Sequence, residues 1–532
     1  MANLRYILSG GILLVGFVLL LSIAGCGGLS GSGPGHTDGS GVVDGGGQSA
    51  NSLFDTADSC ERCHGNVPTE AGERLSFTGD WDESMMSKAA TDPYFRATLA
   101  AEIESYPSQE STIESKCLSC HMPMGHRQAL EDGEHLDFQR VQAGDSPHQT
   151  LAIDGVSCTV CHQIQPDGLG TESRFNGSFA IDTETEKPDR AVFGPFDPVS
   201  APTMQRATGF QPTESDHVKQ ASLCGSCHTL FTPTLNDSGA VIGSFPEQTP
   251  YLEWRESDYT DTTPCQSCHM PSADGVQVSR VPPDLPQRSV RRHQFVGPNA
   301  QMATLLGNER GADRAEATLS RYVGVDIERV NRTDEAVDIS VSVRNRAGHK
   351  LPTGYPARRA WIHLQVTDAA GETVFESGSV SESGKIAGRD VPYEPHHRTI
   401  RSEDSVQIYQ SVMVDPNGDV TQTLLEASGY RKDNRIPPAG FELDDAPDVV
   451  RVRGNATVDP TFGDGRDTVT YVVDATDDSL TVHASLLYQP VSYPFLEAER
   501  GSSDPTVSRF LDEYDGVDKT TVVDEETRTI GT

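Results

Sequence analysis

Two cysteines three positions apart, with histidine directly after the second, recur five times along the chain. They are Cys60, Cys63 and His64 in DSCERCHGN; Cys117, Cys120 and His121 in CLSCH; Cys158, Cys161 and His162 in CTVCH; Cys224, Cys227 and His228 in CGSCH; and Cys265, Cys268 and His269 in CQSCH. One such stretch is compatible with haem attachment, half of a zinc site or a redox-active dithiol. Five copies use ten of the eleven cysteines, and neither zinc nor dithiol chemistry gives a reason for histidine to follow every second cysteine. Covalent haem attachment does, because two thiols at this spacing bond the two vinyl groups of one porphyrin and the adjoining imidazole reaches the iron. The pattern predicts five covalently bound haem c groups, with the five motif histidines as proximal ligands.

The eleventh cysteine belongs to the N-terminus. Arg5 is the only charge ahead of the apolar run ILLVGFVLLLSI, and small residues lead to Cys26. Residues 1–25 read as an export signal. The IAGC ending resembles a bacterial lipobox, which implies cleavage before Cys26 and lipid on its thiol. An uncleaved anchor is the alternative, since the run approaches spanning length. Either way the expected place is outside the cytoplasm, anchored to a bacterial membrane and facing the periplasm or cell exterior, with the outer membrane favoured. Thiols consumed by haem also suit an oxidising compartment. The chain holds 42 basic and 78 acidic residues, a net charge of -36, which excludes nucleic acid as a natural partner and favours basic ones.

The cysteines stop at Cys268, and the rest of the organisation follows from that. Residues 26–51 are a tether rich in glycine and serine. Residues 52–300 are expected to be a pentahaem region of short helices and loops, with porphyrins forming much of its core. Residues 301–324 contain GNERGADRAEATLSRY, which reads as a helical connector. From 325 to 500 the apolar residues alternate, as in VDISVSVRN, AWIHLQV and TVTYVV, with turn residues between. That is the signature of antiparallel strands and predicts a β-sandwich, hence an α+β multidomain chain. Residues 501–532 are acidic and weakly patterned, and are expected to be partly mobile. The second and third motifs begin 41 residues apart, as do the fourth and fifth, a symmetry that duplication or coincidence explains equally.

The motifs, with CHMP twice, FPEQTPYLEWRESDY, HQFVGPN and GHKLPTGYPARRAWIHLQV, resemble the exported multihaem c-type cytochromes distantly related to the tetrahaem cytochrome c and hydroxylamine oxidoreductase group. The resemblance implies electron transfer between exported redox partners, other multihaem cytochromes among them. In that group a W-x-x-S-x-H frame often supplies a distal histidine; here the matching positions hold Met86 and Tyr259. Thioether sulfur is the other common distal ligand, which makes Met86 a candidate with Met85 as its neighbour. Among the remaining histidines, His217, seven residues before Cys224, and His293, opening HQFVGPN, are the leading distal candidates. His148, His126 and His349 come next. His363 alternates with apolar strand residues and reads as structural, and His396 with His397 reads as a loop pair that is metal-binding or solvated.

Two classes of function stay open on these residues. One is an electron carrier whose irons are ligated on both sides. The other is an oxidoreductase acting on a small nitrogen or sulfur compound at one under-ligated haem. Pentahaem nitrite reductases usually carry lysine in place of one motif histidine, and all five motifs here end in histidine. Hydroxylamine-oxidising relatives show that a histidine-bound haem with an empty distal side can be catalytic. Mass spectrometry of the mature protein is expected to show five haems and a lipid on Cys26, and Cys26→Ser should release the protein from the membrane fraction. Free thiols within the motifs, or continued tight membrane association, would contradict these expectations.

Overall fold

The computed structural model describes residues 52–531, except 237, 334–335, 389–392 and 476–478. The export signal, Cys26, the tether and His36 lie outside the described residues. Ala50–Thr532 forms one compact unit, so the cysteine-bearing region and the strand-rich region are packed against each other. Among the described residues no helix is long and apolar enough to cross a membrane.

The C-terminal half is a sandwich of two sheets, as the alternation predicts. One sheet has the strand order Thr399–Ile400, Arg466–Val473, Val337–Asn345, Val323–Arg332. The other runs Gly429–Asp433, Ile408–Val414, Arg359–Thr367, Leu480–Gln489, Thr521–Ile530, with Thr373–Ser377 also paired to Arg359–Thr367. Successive side chains of a strand point to opposite faces, so Ile339, Val341 and Val343 turn inward from the first sheet and Ile362, Leu364, Val482 and Leu486 from the second. All are fully buried in one core. Register keeps like with like, with Val341 opposite Val469 and Ile362 opposite Leu486.

The cysteine-bearing region is built differently. Its helices are short, its sheets are two-stranded ribbons such as Leu230–Leu235 with Val241–Gln248, and its apolar side chains form several small clusters. A longer helix, Pro93–Ser105, starts where Asp92 accepts hydrogen bonds from the Tyr94 and Phe95 amides, with Pro93 in the first turn, the sequence chemistry of a helix start. The connector divides into Ala300–Leu305 and Glu309–Tyr322. Asn308 caps the second helix through the Gly311 amide, and Ala312, Ala315 and Leu319 form its buried stripe.

The acidic C-terminus differs from expectation. Pro505–Tyr514 is a helix that packs Val507, Phe510, Leu511 and Tyr514 against Ala97 and Ala100 of Pro93–Ser105. Thr521–Ile530 is a strand at the sandwich edge. Its carboxylates join the two sheets, since Asp524 accepts the Val325 amide at 2.9 Å and Glu526 accepts the Ile327 amide. Side chains of one sheet thereby satisfy the open edge of the other, where free amides would otherwise invite pairing with a second chain. Thr521 and Val523 are the buried residues of this strand, and Val523 is the apolar one. Val523→Ala is expected to lower unfolding stability by about 1–3 kcal/mol, read as a lower denaturant midpoint; an unchanged midpoint would contradict the pairing.

Candidate haem centres

Each motif starts or completes a helical turn: Asp58–His64, Glu110–His121, Cys158–Cys161, Ala221–Gly225 and Cys265–His269. Residues three and four apart share a face of a helix. Both thiols and the following imidazole of a motif are therefore presented together. All ten motif cysteines are free of disulfides and partly buried.

Four motif histidines share a second feature. Nδ1 of His64 meets the Val278 carbonyl at 2.8 Å, that of His121 the Ala89 carbonyl at 3.0 Å, that of His162 the Phe193 carbonyl at 2.6 Å and that of His269 the Val296 carbonyl at 2.6 Å. A carbonyl only accepts, so Nδ1 carries the proton and Nε2 keeps a free lone pair, the second-shell arrangement that metal-binding histidines use. Burial pushes His121 and His228 down to about 4, and it lowers His64, His162 and His269 as well. At neutral pH these rings are uncharged, the form that coordinates metal.

The same criterion sorts the distal candidates. His293 donates from Nδ1 to the Arg291 carbonyl at 3.1 Å, and His349 from Nδ1 to the Lys350 carbonyl at 3.0 Å. His293 faces His162 with ring centroids 6.2 Å apart and planes 20° apart; His349 faces His269 at 6.2 Å and 24°. Two metal–imidazole bonds of about 2 Å, with half a ring beyond each nitrogen, put the centroids about 6 Å apart. Both pairs thus have the spacing at which two imidazoles would hold one iron between them. None of the other ring contacts made by the described histidines has this geometry.

His217 is different. Its Nε2 meets the Ile164 carbonyl at 2.8 Å and its Nδ1 the Ser215 hydroxyl at 2.7 Å, so both nitrogens are engaged and no lone pair is left for an iron. Its position close to the fourth motif gave no sign of this. His148 is held by Glu134 and Asp132, and His126 Nε2 lies 3.2 Å from the Ser115 hydroxyl. Met85 packs into the apolar clusters, whereas Met86 belongs to none of them. The Met86 carbonyl accepts the Val156 amide at 3.0 Å and Trp81 donates to the Val156 carbonyl at 2.8 Å. The W-x-x-S frame is thereby fixed beside the third motif, whose Cys158 contacts Cys60 of the first.

His396 and His397 are not a solvated loop pair. His397 pairs with Glu394 at 2.7 Å, and His396 is buried beside Asp459 and Asp467. Gln407 and Asn434 each accept a backbone amide through oxygen, which fixes their NH2 groups on His396 Nδ1 at 2.7 and 3.0 Å. Nδ1 must therefore accept, and Nε2 holds the proton toward the two carboxylates. Burial lowers His396 to about 4 and raises Asp467 to about 7. The group is a hydrogen-bond network whose imidazole lone pair is already used. His363 bonds Glu376 across neighbouring strands at 2.9 Å.

Haem fits what the motifs present. Some of the buried polar atoms without a hydrogen-bond partner lie there: Gln163 Oε1 after His162, Ser226 Oγ and Gln266 Oε1 inside the fourth and fifth motifs, and Thr229 Oγ1 and Thr232 Oγ1 after His228. Such orphans are uncommon in proteins and costly. The hydroxyls match the propionate carboxylates a porphyrin carries. The thiols also meet across motifs, Cys60 with Cys158, Cys120 with Cys227, and Cys224 with Cys265.

No family model matches the chain, and no curated protein does. Among solved structures it is similar to a penta-heme cytochrome c552 from Thermochromatium tepidum, over 90% of this chain and 99% of that one, with a TM-score of 0.53 and 16% identity. That likeness is one of fold.

The lone-pair criterion makes a direct forecast. His293→Gly should convert one low-spin haem to high-spin in the visible spectrum, whereas His217→Asn should leave the spectrum as it is. The reverse result would overturn the sorting.

Proposed function

We propose that the chain is an exported pentahaem c-type cytochrome that carries electrons between redox partners. The observation that carries this reading is the continuity of the five motifs. Cys60 of the first contacts Cys158 of the third; Cys227 of the fourth packs against the apolar cluster that holds Val160 of the third; and the fourth contacts both Cys120 of the second and Cys265 of the fifth. Bound haem c would supply one-electron iron chemistry at each motif. The chain's own residues space these sites, leave Nε2 of His64, His121, His162 and His269 free for a metal, and bring His293 opposite His162 and His349 opposite His269, where they would hold the third and fifth irons. An iron with imidazole on both sides has no open position for substrate. Met86 is proposed as the sulfur ligand of one haem, since its side chain belongs to none of the apolar clusters that take in Met85. His126 and His148 stand by hydrogen bonds and ion pairs as supporting residues.

The net charge of -36 favours a partner with a basic face. The lipobox-like IAGC supports anchoring through lipid at Cys26, with the protein facing the periplasm or exterior, and the outer membrane is the proposed membrane. Nucleic acid has no place in this reading.

One observation favours a second reading. The positive charge of Arg358 acts on His228, and the orphan hydroxyls of Thr229 and Thr232 follow that histidine in the chain. A cation and hydroxyls around a motif without a second imidazole would suit a small nitrogen or sulfur oxyanion. Titrating the reduced protein with carbon monoxide separates the two. An electron carrier should be scarcely perturbed, whereas a stoichiometric high-spin haem at the fourth motif, with turnover of nitrite or hydroxylamine, would replace the carrier reading.

A further inference from the structure

His349 and His269 come from different parts of the fold. His269 ends the last motif helix, while His349 sits on the loop between strands Val337–Asn345 and Arg359–Thr367 of the sandwich. A side chain reaching across such a boundary keeps its aim only if its own backbone is fixed. The backbone on both sides of His349 is. The His349 carbonyl accepts from Asn345 Nδ2 at 2.8 Å, and the Lys350 amide donates to Glu253 Oε2 at 3.1 Å. Leu351 and Ile436 then exchange backbone hydrogen bonds at 2.9 and 2.8 Å.

Glu253 is the group that crosses. It lies on the helix Pro250–Arg255, just ahead of the fifth motif, and is fully buried. Its Oε2 also accepts the Thr353 hydroxyl, and its Oε1 lies 3.0 Å from Arg435 as a charge contact. Arg435 makes a two-pronged bond to Asp433 at 2.8 and 2.7 Å, and Lys350 Nζ reaches Asp433 at 2.6 Å. Two positive and two negative groups, all buried, are balanced only as a set. Burial alone would raise the Asp433 carboxyl, but the adjoining guanidinium and ammonium override it and hold it well below the usual carboxylate range. Trp254 closes the contact, since a Cβ on Gly348 would sit 3.1 Å from its ring.

We infer that Glu253, with Arg435, Asp433 and Lys350, is a positioning lock that holds His349 against the fifth motif, so that the sandwich serves as a ligand-presenting domain. This rests on His349 being the distal partner of His269. Buried ion pairs are poor devices for stability, because desolvation offsets their attraction, but removing one member leaves an uncompensated charge. Their best use is to fix register. Here the register fixed is that of the loop carrying the imidazole.

The test compares two variants of the haem-loaded full chain. His349→Gly should turn one haem in five high-spin and able to bind carbon monoxide. Glu253→Gln keeps the size and the acceptor for the Lys350 amide but removes the charge; it should produce the same single carbon monoxide-binding equivalent, reversed by added imidazole. If His349→Gly leaves the spectrum unchanged, the ligand assignment fails and the lock with it. If His349→Gly acts and Glu253→Gln does not, the ligand stands and the lock is overturned. Should Glu253→Gln not accumulate, Arg435→Lys replaces it, because it keeps the charge and loses the two-pronged geometry. One new carbon monoxide equivalent supports the lock, and none overturns it.

Discussion

A neutral imidazole has one lone pair to give, and the nitrogen that offers it is decided by what the other nitrogen meets. In this protein the other nitrogen repeatedly meets a backbone carbonyl. The carbonyls at Val278, Ala89, Phe193 and Val296 come from separate stretches of chain, so four of the five motifs are tied in this way to a segment outside themselves. The link from His64 to Val278 joins the first described helix to a ribbon beyond the last motif. Such ties matter in a region whose apolar clusters are small, because no continuous protein core holds it together as one holds the sandwich. The same bonds that prepare Nε2 for a metal also close the loops around it.

The sandwich depends on the opposite logic. Its strands are unified by one large apolar core, which makes it a rigid base on which a loop can be mounted. The two constructions meet at Pro250–Arg255. Leu252 packs against the sandwich core, Glu253 binds the His349 loop, and Tyr251 lies against Gly225 of the fourth motif. One short helix thus touches the fourth motif, the sandwich core and the loop that faces the fifth.

The legible part of the sequence was the part carried by covalent and periodic patterns. CxxCH states its chemistry in its spacing, and alternation at Ile339, Val341 and Val343 names a buried strand face. The distal side was less legible, because lone-pair availability is a property of hydrogen bonds between distant residues. His217 stands seven residues before Cys224 and is spent on Ile164, whereas His349 stands 80 residues beyond His269 and faces it. The C-terminal strand was hidden for another reason. In TVVDEETRTI the carboxylates that bind the neighbouring edge occupy positions where an apolar pattern would otherwise have shown. Burial of His396 was equally hidden, since its partners Gln407, Asn434 and Asp459 are scattered along the chain.

The thiol contacts, with Cys227 packed against the cluster that holds Val160, give the motifs a branched order in which the fourth is the junction between the third, the second and the fifth. A branched path has more than two ends, and its ends differ in their surroundings. The first motif lies on a surface helix with Asp58, Glu61 and Arg62 exposed and no buried residue. The fifth is faced by the His349 loop of the sandwich. These two ends therefore differ in construction: the first motif rests on a helix without a buried residue, whereas the fifth meets a loop whose backbone is bound by Glu253.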